Sequence, residues 1–155
     1  MMKKDNHEDT KGIEEHEDGE QKMIGVRVRS PLSVESERAM HEAIGCAIAV
    51  RRELGPGFLE SIYRKAMYLE LEARGLTFER ERPVRVVYRG VEIPGQRVDL
   101  IIEGLIVVEL KSVAQLAGVH RAQLISYLRT TGLRGGLLIN FDVRVLKDGI
   151  QRIVL

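Results

Sequence analysis

The sequence is poor in aromatic residues and in cysteine, and each shortage limits the kinds of site that the protein can contain. Aromatic side chains make up only 5% of the 155 residues, so no aromatic-rich strand indicates a surface for stacking nucleic-acid bases. Cys46 is the single cysteine, which excludes a disulfide framework and a cysteine-rich zinc site. Because it lies among small and apolar neighbours, we expect it to be a buried core residue rather than a nucleophile.

Long apolar runs are also missing. No stretch approaches the length of a membrane span, and the charged first residues lack the apolar segment of a signal peptide. A cytoplasmic protein without membrane contact is therefore the default expectation.

Charge is distributed unevenly along the chain. Residues 1–22 hold eight acidic and four basic side chains, whereas the remainder holds 20 Lys and Arg against 15 Asp and Glu. The first part is nearly free of aliphatic residues, so we predict a disordered acidic tail and linker over residues 1–30 and one domain over residues 31–155. The hydrophobic content of 44% is sufficient for a core. The mildly basic domain permits a polyanionic partner.

Hydrophobic periodicity predicts an α/β protein with a central mixed sheet and helices on both faces. Helical patterns cover residues 33–54, 58–74 and 119–131, and Gly-Pro-Gly at 55–57 separates the first two. Strand patterns cover residues 78–82, 84–88, 91–93, 98–102, 105–111 and 136–141. Residues 143–146 and 150–154 complete the chain as a predicted final hairpin.

The stretch 98–111 carries three ionisable residues within an otherwise apolar hairpin. Glu109 and Lys111 are two positions apart on one strand, so their side chains leave the same face. A two-residue loop would place Asp99 opposite Val108 and on the other face. A three-residue loop over residues 102–104, with Gly104 in the left-handed conformation, places Asp99 on the Glu109 side and diagonally across from it. We predict the three-residue loop.

Such charges are costly to bury unless they pair or bind a metal. Two facing carboxylates raise each other's pKa, a divalent cation relieves their repulsion, and oxygen ligands favour Mg²⁺ or Mn²⁺ over zinc. The alternative is an exposed hairpin face with a routine ion pair. The hairpin by itself leaves both interpretations open.

Two helical pairs and a histidine are further candidates. Glu60 and Tyr63 are three positions apart, and Gln123 and Tyr127 are four apart, so the members of each pair share a helix face. Glu60 either is a ligand of a metal or a water, or only complements the helix dipole. Tyr63 can be simply an aromatic residue at the edge of the core, whose hydroxyl reaches water. The second pair can equally be an amphipathic boundary, and His120 either an acid or a local hydrogen-bonding residue.

Together these motifs resemble the PD-(D/E)XK nuclease superfamily. Asp99 followed by Glu109-Leu110-Lys111 resembles its D…E-x-K core, and residues 123–127 resemble the Q-x-x-x-Y element of RecB-like nucleases. Residues 57–63 read G-x-x-E-x-x-Y, which is similar to the signature of the bacterial GxxExxY protein family. Val98 precedes Asp99 where the superfamily often has proline.

The resemblance implies a restriction-endonuclease-like core and metal-dependent phosphodiester hydrolysis. It implies that Asp99, Glu109, the carbonyl of Leu110 and Glu60 hold Mg²⁺ or Mn²⁺, and that Lys111 orients a water or stabilises the transition state. Gln123 and Tyr127 would position nucleic acid, DNA or RNA, or brace the site.

Two other classes of function remain as alternatives. One is a catalytically inactive module that binds nucleic acid on the same fold, and the other is a protein-interaction module. The small size of the chain is compatible with a homodimer or a protein partner for gripping a duplex.

Overall fold

A computed structural model describes residues 30–155 of the chain. The predicted acidic tail and linker therefore lie outside the described residues, except for Ser30, and the predicted domain limits stay a prediction. The elements in chain order are α1 (Val34–Leu54), α2 (Glu60–Ala73), β1 (Phe78–Pro83), β2 (Val86–Tyr88), β3 (Val91–Ile93), β4 (Arg97–Ile102), β5 (Ile106–Lys111), α3 (Gly118–Thr131), β6 (Gly135–Asn140) and β7 (Ile150–Val154). A 3₁₀ turn at Leu146–Gly149 precedes β7.

Five of these strands form one mixed sheet in the order β1-β4-β5-β6-β7. The β5–β6 pair is parallel and the other three pairs are antiparallel. A parallel pair needs a crossover connection, and α3 supplies it between β5 and β6. The predicted α/β class with a central mixed sheet is confirmed.

Two apolar clusters cover the two faces of this sheet. On one face, buried residues of α1 and α2 such as Met40 and Met67 pack against strand residues that include Leu100 and Val108. On the other face, Leu124 and Leu128 of α3 pack against a second set of strand residues. The sheet therefore has helices on both faces, as predicted.

The corner between α1 and α2 is fixed by Tyr63. Its hydroxyl donates a hydrogen bond of 2.6 Å to the carbonyl of Gly55 and accepts one of 3.3 Å from the Phe58 N–H. Its ring stacks on Phe141 with 4.4 Å between the ring centroids, and the side chain is fully buried. The expectation that this hydroxyl reaches water is wrong, because the corner folds back over it.

The central hairpin differs from its prediction by one position. Ile102 pairs with Ile106, so the connecting loop has three residues as predicted but consists of residues 103–105 rather than 102–104. Glu103 and Gly104 both have positive φ, 54° and 64°. Leu100 pairs with Val108, and the next position along each strand brings Asp99 level with Glu109. Asp99 thus shares the side of Glu109 as predicted, but directly opposite it rather than diagonally.

The predicted final hairpin is wrong. Residues 141–145 form bends before the 3₁₀ turn, and β7 pairs with β6 instead. Arg51 explains the difference, because its Nε and Nη2 donate to the carbonyls of Phe141 and Val143 at 3.1 and 2.6 Å. These bonds tie the backbone after β6 to α1, so residues 143–146 are not available as a strand.

The β2–β3 hairpin stands apart from the main sheet as a two-stranded ribbon. Its turn is at Arg89-Gly90, as the sequence predicts, and both residues have positive φ. All six strand residues of this ribbon are exposed.

Candidate active site

Two carboxylates face each other where β4 and β5 end their regular pairing. The backbone N–H of Asp99 donates to Oε1 of Glu109 at 2.9 Å, and the N–H of Leu110 donates to Oδ2 of Asp99 at 2.8 Å. Each side chain thus binds a backbone group of the opposite strand beyond the last registered pair, Leu100 with Val108. Because the bonds come from rigid strands, both carboxylates have fixed positions.

Glu109 is buried in an unfavourable position for a charge. Its exposed fraction is 3%, and burial, followed by repulsion from the Asp99 carboxylate, raises its pKa to about 8. The hydrogen bond from the Asp99 backbone and the positive charge of Lys111 act in the opposite direction but do not offset the rise. A positive ion at this point would remove most of that cost.

Lys111 and two helical residues form a hydrogen-bonded chain beside the carboxylates. Nζ of Lys111 lies 3.4 Å from Oε1 of Gln123, whose Nε2 donates to the Tyr127 hydroxyl at 2.7 Å. Gln96, just before β4, donates to the same hydroxyl. Tyr127 is buried, and burial followed by the charge of Glu109 raises its pKa. Of the two residues that the sequence pairs on α3, Gln123 therefore contacts Lys111 directly and Tyr127 is connected to it through Gln123.

Glu60 reaches this group through an arginine that the sequence analysis missed. Oε1 of Glu60 lies 2.7 Å from Nη2 of Arg64, and the same nitrogen lies 3.4 Å from Oδ1 of Asp99. The connection that the structure shows between Glu60 and Asp99 is thus this shared nitrogen of Arg64. The available signal was the four-residue spacing from Glu60 to Arg64, which makes a helical ion pair.

The donor set suits a hard divalent cation. Asp99 and Glu109 offer carboxylate oxygens, and Leu110 offers a backbone carbonyl between Glu109 and Lys111. Within residues 30–155, no cluster of three or more His, Cys, Asp and Glu side chains is arranged to hold a metal. Mg²⁺ is commonly held by one or two carboxylates together with waters and substrate phosphates, so two carboxylates are compatible with it.

His120 has a local structural role. Its Nδ1 accepts a hydrogen bond of 3.0 Å from the N–H of Ala117 at the start of α3. This is the second of the two interpretations that the sequence left open.

The chain belongs to the PD-(D/E)XK nuclease superfamily, because the superfamily's model matches residues 37–153. The crystal structure of SSO0001 is similar to this chain, with 24% sequence identity and a TM-score of 0.42. That similarity covers 76% of this chain and 56% of the other, so the chain spans little more than half the length of SSO0001. No curated protein gives a significant match. None of the helices within residues 30–155 is long and apolar enough to cross a membrane.

Proposed function

We propose that this protein is a metal-dependent nuclease that hydrolyses phosphodiester bonds in DNA or RNA. The observation that carries the proposal is the meeting of Asp99, Glu109 and Lys111 at one end of the β4–β5 hairpin, with Glu109 almost fully buried. A buried acid with a raised pKa in such a cluster is typical of a functional site. The superfamily of the chain supplies the reaction class.

We also propose that the chain is a GxxExxY protein within this superfamily. The three residues of that motif have separate structural roles here, which supports the assignment. Gly57 has a φ of 96° in the corner between α1 and α2. The Tyr63 hydroxyl donates a hydrogen bond to the Gly55 carbonyl in the same corner, and Glu60 holds Arg64 next to Asp99. One short segment thus connects the helical layer to the candidate site.

Asp99, Glu109 and the carbonyl of Leu110 would hold Mg²⁺ or Mn²⁺, with Glu60 as an outer carboxylate. When bound, the cation lowers the pKa of a water and neutralises charge that develops on the phosphate. The protein contributes fixed oxygen positions, because backbone N–H groups hold both inner carboxylates. Ionised Glu109 is favourable only while positive charge compensates it.

Lys111 acts on the reacting groups. Its ammonium group, held towards Gln123, either orients the attacking water or stabilises the transition state by its charge. Gln123 and Tyr127 brace Lys111 from α3 and present polar groups that position nucleic acid. A module that only binds nucleic acid gains nothing from a buried Glu109, which makes catalysis the better explanation.

The test is cleavage of mixed DNA and RNA substrates by wild type and by Asp99→Asn, Glu109→Gln and Lys111→Met variants. We expect metal-dependent cleavage by the wild type and a loss of at least about 100-fold in each variant. Glu92→Gln is the control, because Glu92 is exposed on the β2–β3 ribbon and pairs with Arg85. Equal cleavage by wild type and all three site variants would contradict the proposal.

A further inference from the structure

We propose that Arg64 is a phosphate-binding residue that the metal-free protein holds on Asp99 and that a divalent cation releases. The inference rests on the proposed nuclease function and adds a residue outside the D…E-x-K and Q-x-x-x-Y motifs. Its ligand is a phosphate group of the nucleic-acid backbone.

The position of Arg64 is the first support. It lies one helical turn after Glu60 on α2, and its Nη2 is shared between the carboxylates of Glu60 and Asp99 at 2.7 and 3.4 Å. Only 22% of the Arg64 side chain and 16% of the Asp99 side chain are exposed. The shorter contact makes Glu60 the anchor, and the longer one makes Asp99 the partner that is easier to lose.

The second support is a nitrogen that has no partner. Nε of Arg64 is buried and makes no hydrogen bond within the part of the chain that the structure describes. Buried N–H groups are costly when they stay unpaired. A guanidinium group binds phosphate through parallel N–H donors, so a phosphate oxygen is a suitable acceptor for this nitrogen once the group has moved away from Asp99.

The charges at Asp99 connect these two observations. Oδ2 of Asp99 already accepts the Leu110 N–H, whereas Oδ1 faces Arg64. Oδ1 is therefore the oxygen with capacity for a cation, and a cation there repels the guanidinium group. Once released from Asp99, Arg64 stays beside the site because Glu60 retains it.

Two measurements on Arg64→Gln follow, with opposite expected signs. Calorimetry with Mg²⁺ and with Mn²⁺ should show affinity about 3- to 10-fold higher than in the wild type, because a competing charge is gone. Affinity for an oligonucleotide, measured in Ca²⁺, should fall about 5- to 10-fold. A gel checks that the oligonucleotide stays intact during this measurement. The slope of that affinity against salt should decrease by about one. General damage to the site would instead lower both affinities.

Matched variants separate charge from geometry. Arg74→Gln removes the same charge from the residue that caps the C-terminal end of α2, about 15 Å further along the helix axis. Its partners there are Glu42 and Glu70, and the variant should leave both affinities unchanged. Arg64→Lys keeps the charge without the planar fork. It should keep metal affinity near that of the wild type and lose part of the oligonucleotide affinity.

A double variant tests whether Glu60 acts through Arg64. If it does, Glu60→Gln added to Arg64→Gln should change Mg²⁺ affinity by less than about 3-fold, as expected of an outer carboxylate. A further loss of more than about 3-fold would make Glu60 a direct ligand and overturn its role as an anchor.

Failure of this inference is distinguishable from failure of the proposed function. A wild type that binds metal and cleaves nucleic acid, together with unchanged or lowered metal affinity in Arg64→Gln, would overturn the inference alone. Raised metal affinity with unchanged oligonucleotide affinity would overturn the phosphate role. A wild type that neither binds metal nor cleaves would overturn both proposals.

Discussion

Replacing Glu109 by glutamine should make the metal-free protein more stable at neutral pH while it abolishes metal binding. Glutamine has nearly the same size, and its Oε1 can accept the Asp99 N–H as Glu109 does. Its amide nitrogen can donate to the Asp99 carboxylate, with which an ionised Glu109 has a repulsive contact. At neutral pH the folded wild type must either keep Glu109 protonated or bury it as an anion, and the substitution removes that cost while it leaves the hydrogen bonds in place.

The expected magnitude follows from the raised pKa of Glu109. Because this pKa is about 8 in the folded state against 4.5 in the absence of perturbation, the folded protein holds an extra proton between these values. Its stability therefore falls as pH rises through that window, by about 1.4 kcal/mol per pH unit. From about pH 5 to about pH 7, the wild type should lose about 2 to 3 kcal/mol relative to the variant.

Urea unfolding in EDTA at several pH values between about 5 and 8 measures this difference. Ionisable groups away from Glu109 are shared by the two proteins, so their effects cancel in the comparison. Adding Mg²⁺ at about pH 8 should restore stability to the wild type but not to the variant, since only the former offers both carboxylates. Parallel stability curves for the two proteins in EDTA would refute the claim that Glu109 is an unfavourably buried acid.

Three further predictions concern residues outside the site. Burial raises the pKa of the Cys46 thiol to about 11, so the native protein should resist a thiol reagent at about pH 8 and react only on unfolding; fast native labelling would contradict this. A hydrogen bond from Arg152 lowers the pKa of Glu37 to about 2, so the stability that this pair contributes should be present above about pH 4.5 and disappear as pH falls through about 2. Urea unfolding in acid should show that the wild type loses about 0.5–1 kcal/mol of unfolding free energy relative to Glu37→Gln, a magnitude kept small because the pair is partly exposed to solvent. Tyr63→Phe should cost about 1–3 kcal/mol of unfolding free energy, because the Gly55 carbonyl loses its donor, while cleavage per folded molecule stays the same; loss of cleavage without loss of stability would indicate a chemical role.

Local pattern was sufficient for most elements. Apolar residues at three- and four-residue steps mark α1, and Gly55 ends it with a φ of 74°. The β4 and β5 runs are dense in β-branched and apolar residues, which places both in a buried sheet. The co-location of Asp99 and Glu109 followed from the two-residue period of strands and the need for a three-residue loop.

Contacts between distant segments decided what the sequence did not predict. Glu103 adopts a φ of 54° while its N–H and its Oε2 bind Thr77, at 2.9 and 2.6 Å. This contact with a residue 26 positions earlier selects the loop and moves the register by one. Likewise, Arg51 binds the backbone at Phe141 and Val143 across 90 and 92 positions and prevents the predicted hairpin. No local propensity contains such information.

In the candidate site, too, local motifs predicted some residues and contacts between distant segments decided the others. The sequence identified Asp99, Glu109, Lys111, Gln123 and Tyr127 from motifs, and the structure brings them together. It did not identify Arg64, because an arginine four residues after a glutamate is ordinary on a solvated helix. Only the packing of α2 against the sheet makes that arginine a neighbour of Asp99.

Calorimetric titration of Mg²⁺ and Mn²⁺ into wild type and Glu109→Gln, with a DNA and RNA cleavage assay on the same samples, tests the metal-dependent nuclease directly. We predict binding and metal-dependent cleavage by the wild type and loss of both in the variant. Absence of metal binding by the wild type, even with nucleic acid present, would contradict the account and leave Asp99, Glu109 and Lys111 as a structural ion network.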